Sequence, residues 1–460
     1  MLLQTKIKNT RLHNFFHNPT RIIVSSFAFL ILFGAFLLML PICSRSGEAT
    51  SFTTALFTAT SATCVTGLIV VDTYTHYSTI GQIVIISLIQ LGGLGLVTFV
   101  TFFNLAIRKK LGLKSLQLAG ESISADSFDE VRHLLKMIFR ITFSIEFAGA
   151  LILMTVFVPQ YQIKGVFISI FLAISAFCNA GFDVLGFQEQ FVSLSNYNSN
   201  PVVLITIMSL IVCGGLGFIV WQDLLLYRKT KRLIMHTKIV LFTTIGLILF
   251  GALFCAIFEW KNPTTIGTMS VSDKILNSFF LSVTTRTAGF NSTPIDTMYG
   301  ITKLFCVLLM FIGASPASTG GGIKTTTFLV LVMTIVSVIR GRDETIIHNR
   351  KVDKSVVYKA LAVTATALVA VFIATATIFF TSHAGGTTFS EIDALFESVS
   401  AFATVGLTSG VTALANQPSL YVLIITMFIG RVGPVSLALS LAMSKKKKNT
   451  VMPEAKILVG

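Results

Sequence analysis

The sequence predicts an all-α polytopic membrane protein, with four pseudo-repeated span–pore helix–span units around one pore. Three observations predict it. The chain of 460 residues is 53% hydrophobic and only 12% charged, with a mean hydropathy of +0.81. Its apolar stretches recur in the order long, short, long. One glycine returns after each short stretch. An average soluble domain carries about 25% charged residues, so most of this surface must face something other than water. Soluble enzymes, secreted disulfide scaffolds and nucleic-acid binders are excluded on that ground. With 33 Gly and 10 Pro the chain is not fibrous or disordered either.

A helix crosses the bilayer core with about 20 apolar residues. Stretches of that kind cover 21–42, 79–107, 134–158, 201–227, 238–258, 299–339, 357–381 and 419–443. Four shorter apolar segments lie between them, at 52–63, 166–177, 274–285 and 391–402. Each is too short to span and reads as re-entrant. Irregular backbone at membrane depth survives only when buried in protein or lining a watery cavity, so the short segments imply a central pore. The units run 1–110, 111–233, 234–354 and 355–445, followed by a tail at 446–460.

Net charge is +15, but the basic residues stand in short blocks between apolar stretches. Of 35 Lys and Arg, 27 fall at the N-terminus, in the linkers near 108–140, 228–238 and 340–359, or from 445 onward. That bias predicts cytoplasmic termini and cytoplasmic unit-to-unit linkers in the cell membrane. The first apolar run is long enough to span and lacks a cleavage site, so it does not read as a signal peptide. Cys43, Cys64, Cys178, Cys213, Cys255 and Cys306 show no metal or CxxC spacing and read as small buried hydrophobes.

The recurring glycines are Gly67, Gly181, Gly289 and Gly406, at intervals of 114, 108 and 117. Ten residues earlier stand Phe57, Phe171, Phe279 and Phe396. The tripeptides ending on the glycine are Val65-Thr66-Gly67, Asn179-Ala180-Gly181, Thr287-Ala288-Gly289 and Thr404-Val405-Gly406. A dehydrated monovalent cation needs a ring of oxygens, and an extended loop can aim backbone carbonyls at an axis to supply it. Glycine tolerates the torsions this demands. The C-terminal end of each short helix would point partial negative charge at the cavity. No carboxylate occurs in the tripeptides, so neutral dipoles would bind a weakly hydrated ion rather than a divalent one.

Thr404-Val405-Gly406-Leu407-Thr408 resembles the potassium-channel filter, and the four-unit layout resembles the Trk/Ktr/HKT superfamily of potassium transporters. Within it the chain is most similar to the Ktr-type membrane subunit, over essentially its whole length. Leu91-Gly92-Gly93-Leu94-Gly95, Arg286-Thr287-Ala288-Gly289-Phe290-Asn291 and Phe428-Ile429-Gly430-Arg431-Val432-Gly433-Pro434 support the match. The resemblance implies a potassium-channel-like fold and a potassium ion held by backbone carbonyls of the twelve tripeptide residues, without organic cofactor. A serine at the first filter glycine goes with sodium selectivity in this superfamily; here that position is Gly67. The alternative is a sodium-permeable or cation-symporting member of the same superfamily.

The second span of unit three is interrupted by Gly313-Ala314-Ser315-Pro316-Ala317-Ser318-Thr319-Gly320-Gly321-Gly322-Ile323-Lys324-Thr325. Proline and three consecutive glycines oppose a helix. The stretch reads as an unwound gating loop about one helix length below the filter, a place where Ktr-type subunits carry one. Its candidate gate residues are Ser318, Thr319, Gly320, Gly321, Gly322 and Lys324. Arg431 joins them: a guanidinium in mid-span must face protein or water, where it can repel a cation or brace the loop. Arg286 is expected to brace the filter from behind. The glycines at 92–95, 214–217 and 430–433 read as close helix packing within continuous spans.

No soluble nucleotide-binding domain fits in the linkers. The resemblance implies a homodimer on a separate cytosolic ring of nucleotide-binding regulatory subunits, with the C-terminal glycine at the dimer interface. The basic linkers could equally meet anionic membrane lipid. An intramembrane enzyme is the rival class, and no catalytic set such as paired aspartates or HExxH stands at membrane depth. Glu146 is the one acid well inside a span, where snorkelling or a hydrogen bond accounts for it. Of the acidic residues on the outer side, Asp183 among them, some are expected to ring the entry and concentrate cations, and most read as ordinary solvated charges.

Overall fold

The structure, a computed structural model, describes residues 19–95, 98, 128–384 and 389–433. The tail 446–460, Pro434, the basic blocks at 6–11, 108–114 and 445–448 and the inner end of the 79–107 span lie outside the described residues. Unit one contributes α1 (Pro19–Met39), α2 (Phe52–Thr63) and α3 (Thr79–Leu94). Unit two contributes α4 (Phe128–Tyr161), α5 (Ile163–Phe177), α6 (Pro201–Gly215) and α7 (Phe218–Thr230). Unit three contributes α8 (Met235–Glu259), α9 (Val271–Thr284), α10 (Gly300–Phe311) and α11 (Thr325–Ile339). A two-residue hairpin follows, β1 (Ile346–Ile347) against β2 (Arg350–Lys351), pairing Ile346 with Lys351. Unit four contributes α12 (Lys354–Ala384), α13 (Glu391–Phe402) and α14 (Gln417–Val432).

The first helix of each unit is long, apolar and unbroken. α1, α4, α8 and α12 each hold a window hydrophobic enough to cross a membrane. Their outward rings are bare: Phe242 and Phe372 are both 74% exposed. In water such surface would be a liability; in a bilayer it meets acyl chains. The protein is a multi-pass membrane protein.

The short helices are local sequence made visible. Ser51, Ser270 and Ser390 cap α2, α9 and α13 by accepting the backbone N–H of Thr54, Asp273 and Asp393. The Ser270 and Ser390 hydroxyls also donate to the carboxylates of Asp273 and Asp393, at 2.7 and 2.6 Å. α5 has no such cap and follows α4 after the single residue Gln162, held at φ +53°. The aromatic repeat points inward in three units: Phe57, Phe171 and Phe396 are buried. Unit three departs from the expected register. Phe279 is half-buried there, and its neighbour Phe280 takes the buried place.

Among the described residues the second helix is interrupted in unit two as well as unit three, and in units one and four it ends on a glycine. α3 ends on Gly95 at φ +82°, α14 on Gly433 at φ +90°, and α6 gives way to α7 through Gly217 at φ +90°. α6 and α7 meet at 94°. A left-handed residue cannot continue a right-handed helix, so the continuous span expected at 201–227 is broken, and the described helices of the spans expected at 79–107 and 419–443 end at Gly95 and Gly433. Three residues before each of these glycines, Gly92, Gly214 and Gly430 lie against the carbonyl oxygens of Thr63, Phe177 and Phe402. Those are the last residues of α2, α5 and α13. The glycines therefore do pack closely, and what they pack against is the pore-facing end of their own short helix.

Gly214→Ala puts a methyl group into the Phe177 carbonyl and should cost about 1–3 kcal/mol by overpacking. Gly246→Ala, on α8 with nothing within 4 Å, should be neutral or stabilising, since Ala outranks Gly by about 1 kcal/mol in a helix interior. Thermal unfolding of both variants in detergent checks the contrast; equal melting temperatures would remove the packing argument.

Candidate ion-binding site

Each short helix ends four or five residues before its glycine, and the strand that follows has an alternating backbone. Val65, Asn179, Thr287 and Thr404 have φ of +58°, +60°, +70° and +51°. Gly67, Gly181, Gly289 and Gly406 have φ of +97°, +68°, +82° and +89°. The residue between them stays at negative φ in all four. Alternation of hand turns successive carbonyls to one side of the strand.

The four strands meet at one place. A Cβ built on Gly67 would lie 3.2 Å from the Cα of Gly181, and one on Gly181 would lie 2.9 Å from the Cα of Gly289. One on Gly289 would lie 3.2 Å from the Cα of Gly406, and one on Gly406 would lie 2.9 Å from the Cα of Gly67. The ring closes in unit order. Its nearest foreign atoms are also cyclic: Gly67 faces the carbonyl oxygen of Ala180, Gly181 that of Ala288, Gly289 that of Val405 and Gly406 that of Thr66. Any side chain at the four positions would enter that circle of oxygens.

Three serines that the sequence reading passed over hold the strands. Ser61, Ser175 and Ser400 stand six residues before the glycine in units one, two and four. Their backbone carbonyls accept the N–H of Thr66, Ala180 and Val405, each at 2.8 Å. The Ser61 and Ser400 hydroxyls also accept the N–H of Gly67 and Gly406, at 3.0 and 3.1 Å. In unit three Thr284 bonds the Phe290 carbonyl instead, at 2.6 Å. A serine at a fixed offset in three units was a legible signal.

Carboxylates fasten the outer side. Glu397, fully buried nine residues before Gly406, accepts both the Thr408 and Thr412 hydroxyls and the N–H of Ser409 and Thr412. It fixes the turn that follows the unit-four strand. Asp72 accepts the N–H of Tyr74 and Thr75 in its own loop and of Phe191 in the unit-two loop, at 3.0, 2.7 and 3.2 Å. Asp183, half-buried two residues past Gly181, accepts the Leu185 N–H at 2.9 Å. Burial pushes its carboxyl up to about 7; the Leu185 bond opposes this and the nearby Asp72 adds to it.

The 313–325 loop does not lie a helix length below the ring. It doubles back: Ile323 donates to the Phe311 carbonyl at 3.2 Å, Ala314 to Gly321 at 3.3 Å and Thr325 to Ala314 at 3.2 Å. Gly320 and Gly321 thereby press against the hydroxyls of Thr287 and Thr404, the first residues of two strands. The loop also fills the break in unit two, where Ser315 N–H meets the Gly215 carbonyl at 3.1 Å and Phe218 N–H meets Ala317 at 2.9 Å. Lys324 folds onto its own loop and donates to the Gly320 carbonyl at 2.6 Å, and Ser318 donates to Ser315 at 2.6 Å. Arg431 donates to the Thr319 carbonyl and to the carbonyls of Gly92 and Gly93, the latter two at 2.6 and 3.1 Å. It joins the loop to unit one. Arg286, buried behind the unit-three strand, reaches the Thr244 carbonyl at 3.2 Å and that of Gly313 at 3.5 Å. Glu146 is buried rather than snorkelling, and accepts the Gln90 amide at 3.1 Å.

Comparison with known proteins agrees with this architecture. The family model described as TrkH, cation transport protein, matches residues 2–451. The Ktr system potassium uptake protein B of Bacillus subtilis strain 168 is 41% identical over 443 residues, 96% of this chain and 97% of that one. The potassium/sodium uptake protein NtpJ of Enterococcus hirae is 36% identical over 446 residues, with 96% and 97% covered. The crystal structure of the potassium transporter TrkH from Vibrio parahaemolyticus matches with a TM-score of 0.70 at 18% identity, over 92% of this chain and 84% of that one, which is a likeness of fold. A chain matched by a cation-transport family along nearly its whole length is a transporter rather than an enzyme, and this one belongs to the TrkH family of cation transport proteins.

Proposed function

We propose that this protein takes up potassium ions across the cell membrane through the ring of backbone carbonyls. The closed, cyclic approach of Gly67, Gly181, Gly289 and Gly406 is the observation that carries the reading. Four neutral strands with carbonyls turned inward offer a dehydrated monovalent cation the oxygens it loses from water. The twelve tripeptide residues form the filter and K⁺ is its substrate. Similarity to the potassium uptake protein of Bacillus subtilis supports potassium.

In this reading the 313–325 loop is the gate, with Ser318, Thr319, Gly320, Gly321, Gly322, Lys324 and Arg431 as its parts. A loop packed against two strands and clamped by a guanidinium must shift before an ion leaves the ring inward. The cytoplasmic placement of both termini rests on the clustering of Lys and Arg. The word "system" in the relative's name supports a multi-component assembly. We assign the control of the gate to a cytosolic ring of nucleotide-binding subunits and the membrane part to a homodimer among lipid, with no role for nucleic acid. A sodium-permeable variant of the same mechanism is the second reading, favoured by the potassium/sodium name of the Enterococcus relative.

Tracer uptake of rubidium and sodium in a transport-deficient cell separates the two ions. Rubidium uptake that potassium suppresses and sodium does not is the expected result; equal suppression would favour the second reading. Gly67→Ser places a side chain against the Ala180 carbonyl and should raise sodium relative to rubidium uptake. An unchanged ratio in a well-expressed variant would count against the filter. Deleting Ser318, Thr319 and Gly320 should raise rubidium flux in proteoliposomes; flux that stays level or falls in a folded variant would remove the gate.

Asp183 adds a pH dependence. Its raised pKa leaves it neutral below about 7 and ionised above. A carboxylate at the mouth concentrates cations, so half-saturation for rubidium should fall as external pH rises from about 6 to about 8. Asp183→Asn should flatten that profile. Retention of the full slope in the variant would assign the titration elsewhere.

A further inference from the structure

Asn179 is the unit-two member of the four residues that open the strands, and it differs from the other three. Its counterparts are Val65, Thr287 and Thr404. All four hold a left-handed backbone. Asn is the non-glycine type that tolerates this region best and still carries a polar side chain. At this position it can serve the strand with its backbone and something else with its amide.

The amide is fully buried and points toward the loop. In the orientation that satisfies both of its ends, its nitrogen has two hydrogens for three acceptors within reach: the Phe177 carbonyl at 3.2 Å, the Ile211 carbonyl at 3.3 Å and the Thr319 hydroxyl at 3.2 Å. Gly214 makes the room, since a Cβ there would stand 2.9 Å from the amide. Thr319 is in turn the best-anchored residue of the loop. Its hydroxyl donates to the Phe177 carbonyl at 3.3 Å, its N–H to the Gly214 carbonyl at 3.4 Å, and its own carbonyl accepts Arg431. The other two polar first residues meet the loop differently. Thr287 and Thr404 touch Gly320 and Gly321, which offer no side chain, and the Thr404 hydroxyl has no hydrogen-bond partner among the described residues.

We propose that the Asn179 side chain is a latch between filter and loop. While it holds Thr319 the loop stays seated under the ring, and a shift of the unit-two strand releases it. Occupancy of the ring and position of the loop are then two ends of one coupling, and whatever biases one biases the other by the same free energy. The inference rests on the filter and gate assignments made above, and adds that a positioning side chain within the filter restrains the gate.

The test uses the full chain in proteoliposomes with rubidium flux and the rubidium-to-sodium ratio as readouts. Asn179→Gly removes the amide yet keeps the left-handed backbone. Thr319→Val removes the partner hydroxyl at similar volume and lies outside the filter, so it serves even where the first variant fails to fold. Each should raise flux about twofold to tenfold, the range of one hydrogen bond, and Thr319→Val, outside the filter, should do so with the ion ratio unchanged. The double variant should exceed neither single by more than their spread, because both cut one contact. Multiplying effects would overturn the latch, as would a silent Thr319→Val beside an Asn179→Gly that loses selectivity. Wild-type flux in both singles, with a raised flux in the loop deletion, would overturn the latch and leave the gate standing. No change in the loop deletion would remove the gate and the latch together.

Discussion

Four backbone strands approach one line so closely that a single methyl group on any of the glycines would strike the carbonyl oxygen of the next strand. That crowding sets the terms for the rest of the molecule. A strand so placed can have no side chain at its tip and must alternate in hand to turn its oxygens inward. It needs a rigid support behind it, which the short helices supply. Their caps are ordinary local chemistry, while Ser61, Ser175 and Ser400 carry the support across to the strand backbone. In the function proposed above, dipoles arranged in advance cost no reorganisation when a cation arrives.

The same crowding explains why the two long helices of a unit differ. The first stands on the lipid side and runs unbroken. The second passes the end of the short helix, where Gly92, Gly214 and Gly430 allow backbone to touch backbone. Just beyond, each described second helix ends or turns on a left-handed glycine. In unit three the interruption has grown into a loop that returns to the ring and fills the break of unit two. A cationic clamp, Arg431, then ties it to the glycine carbonyls of unit one. The half-buried guanidinium is satisfied by carbonyls rather than by a carboxylate.

Outside the ring the chain uses carboxylates. Glu397 and Asp72 spend theirs on backbone N–H groups of the outer loops and so act as fasteners. Asp183 has one such bond and a carboxylate neighbour, and its burial disfavours the charged form that Glu397 and Asp72 put to structural use. Whether a carboxylate is structural or electrostatic here depends on how many donors surround it, a property that composition does not carry.

Much of the architecture was legible in the chain. Composition established the membrane class, and apolar length located the first span of every unit and all four short helices. The spacing of Gly67, Gly181, Gly289 and Gly406 marked the candidate site before any geometry. These are local properties: each reports how one segment is buried or what torsions its backbone must hold. The continuous second span of unit two, the register of Phe279 and the depth of the 313–325 loop were misread. The partnership of Asn179 with Thr319 could not be read at all, since it joins residues 140 apart in the chain. Only the tertiary structure decided which carbonyl faces which glycine and where the loop comes to rest. A hydropathy pattern records that a segment is buried, while its partner is chosen by shape and by hydrogen-bond satisfaction across units brought together in folding.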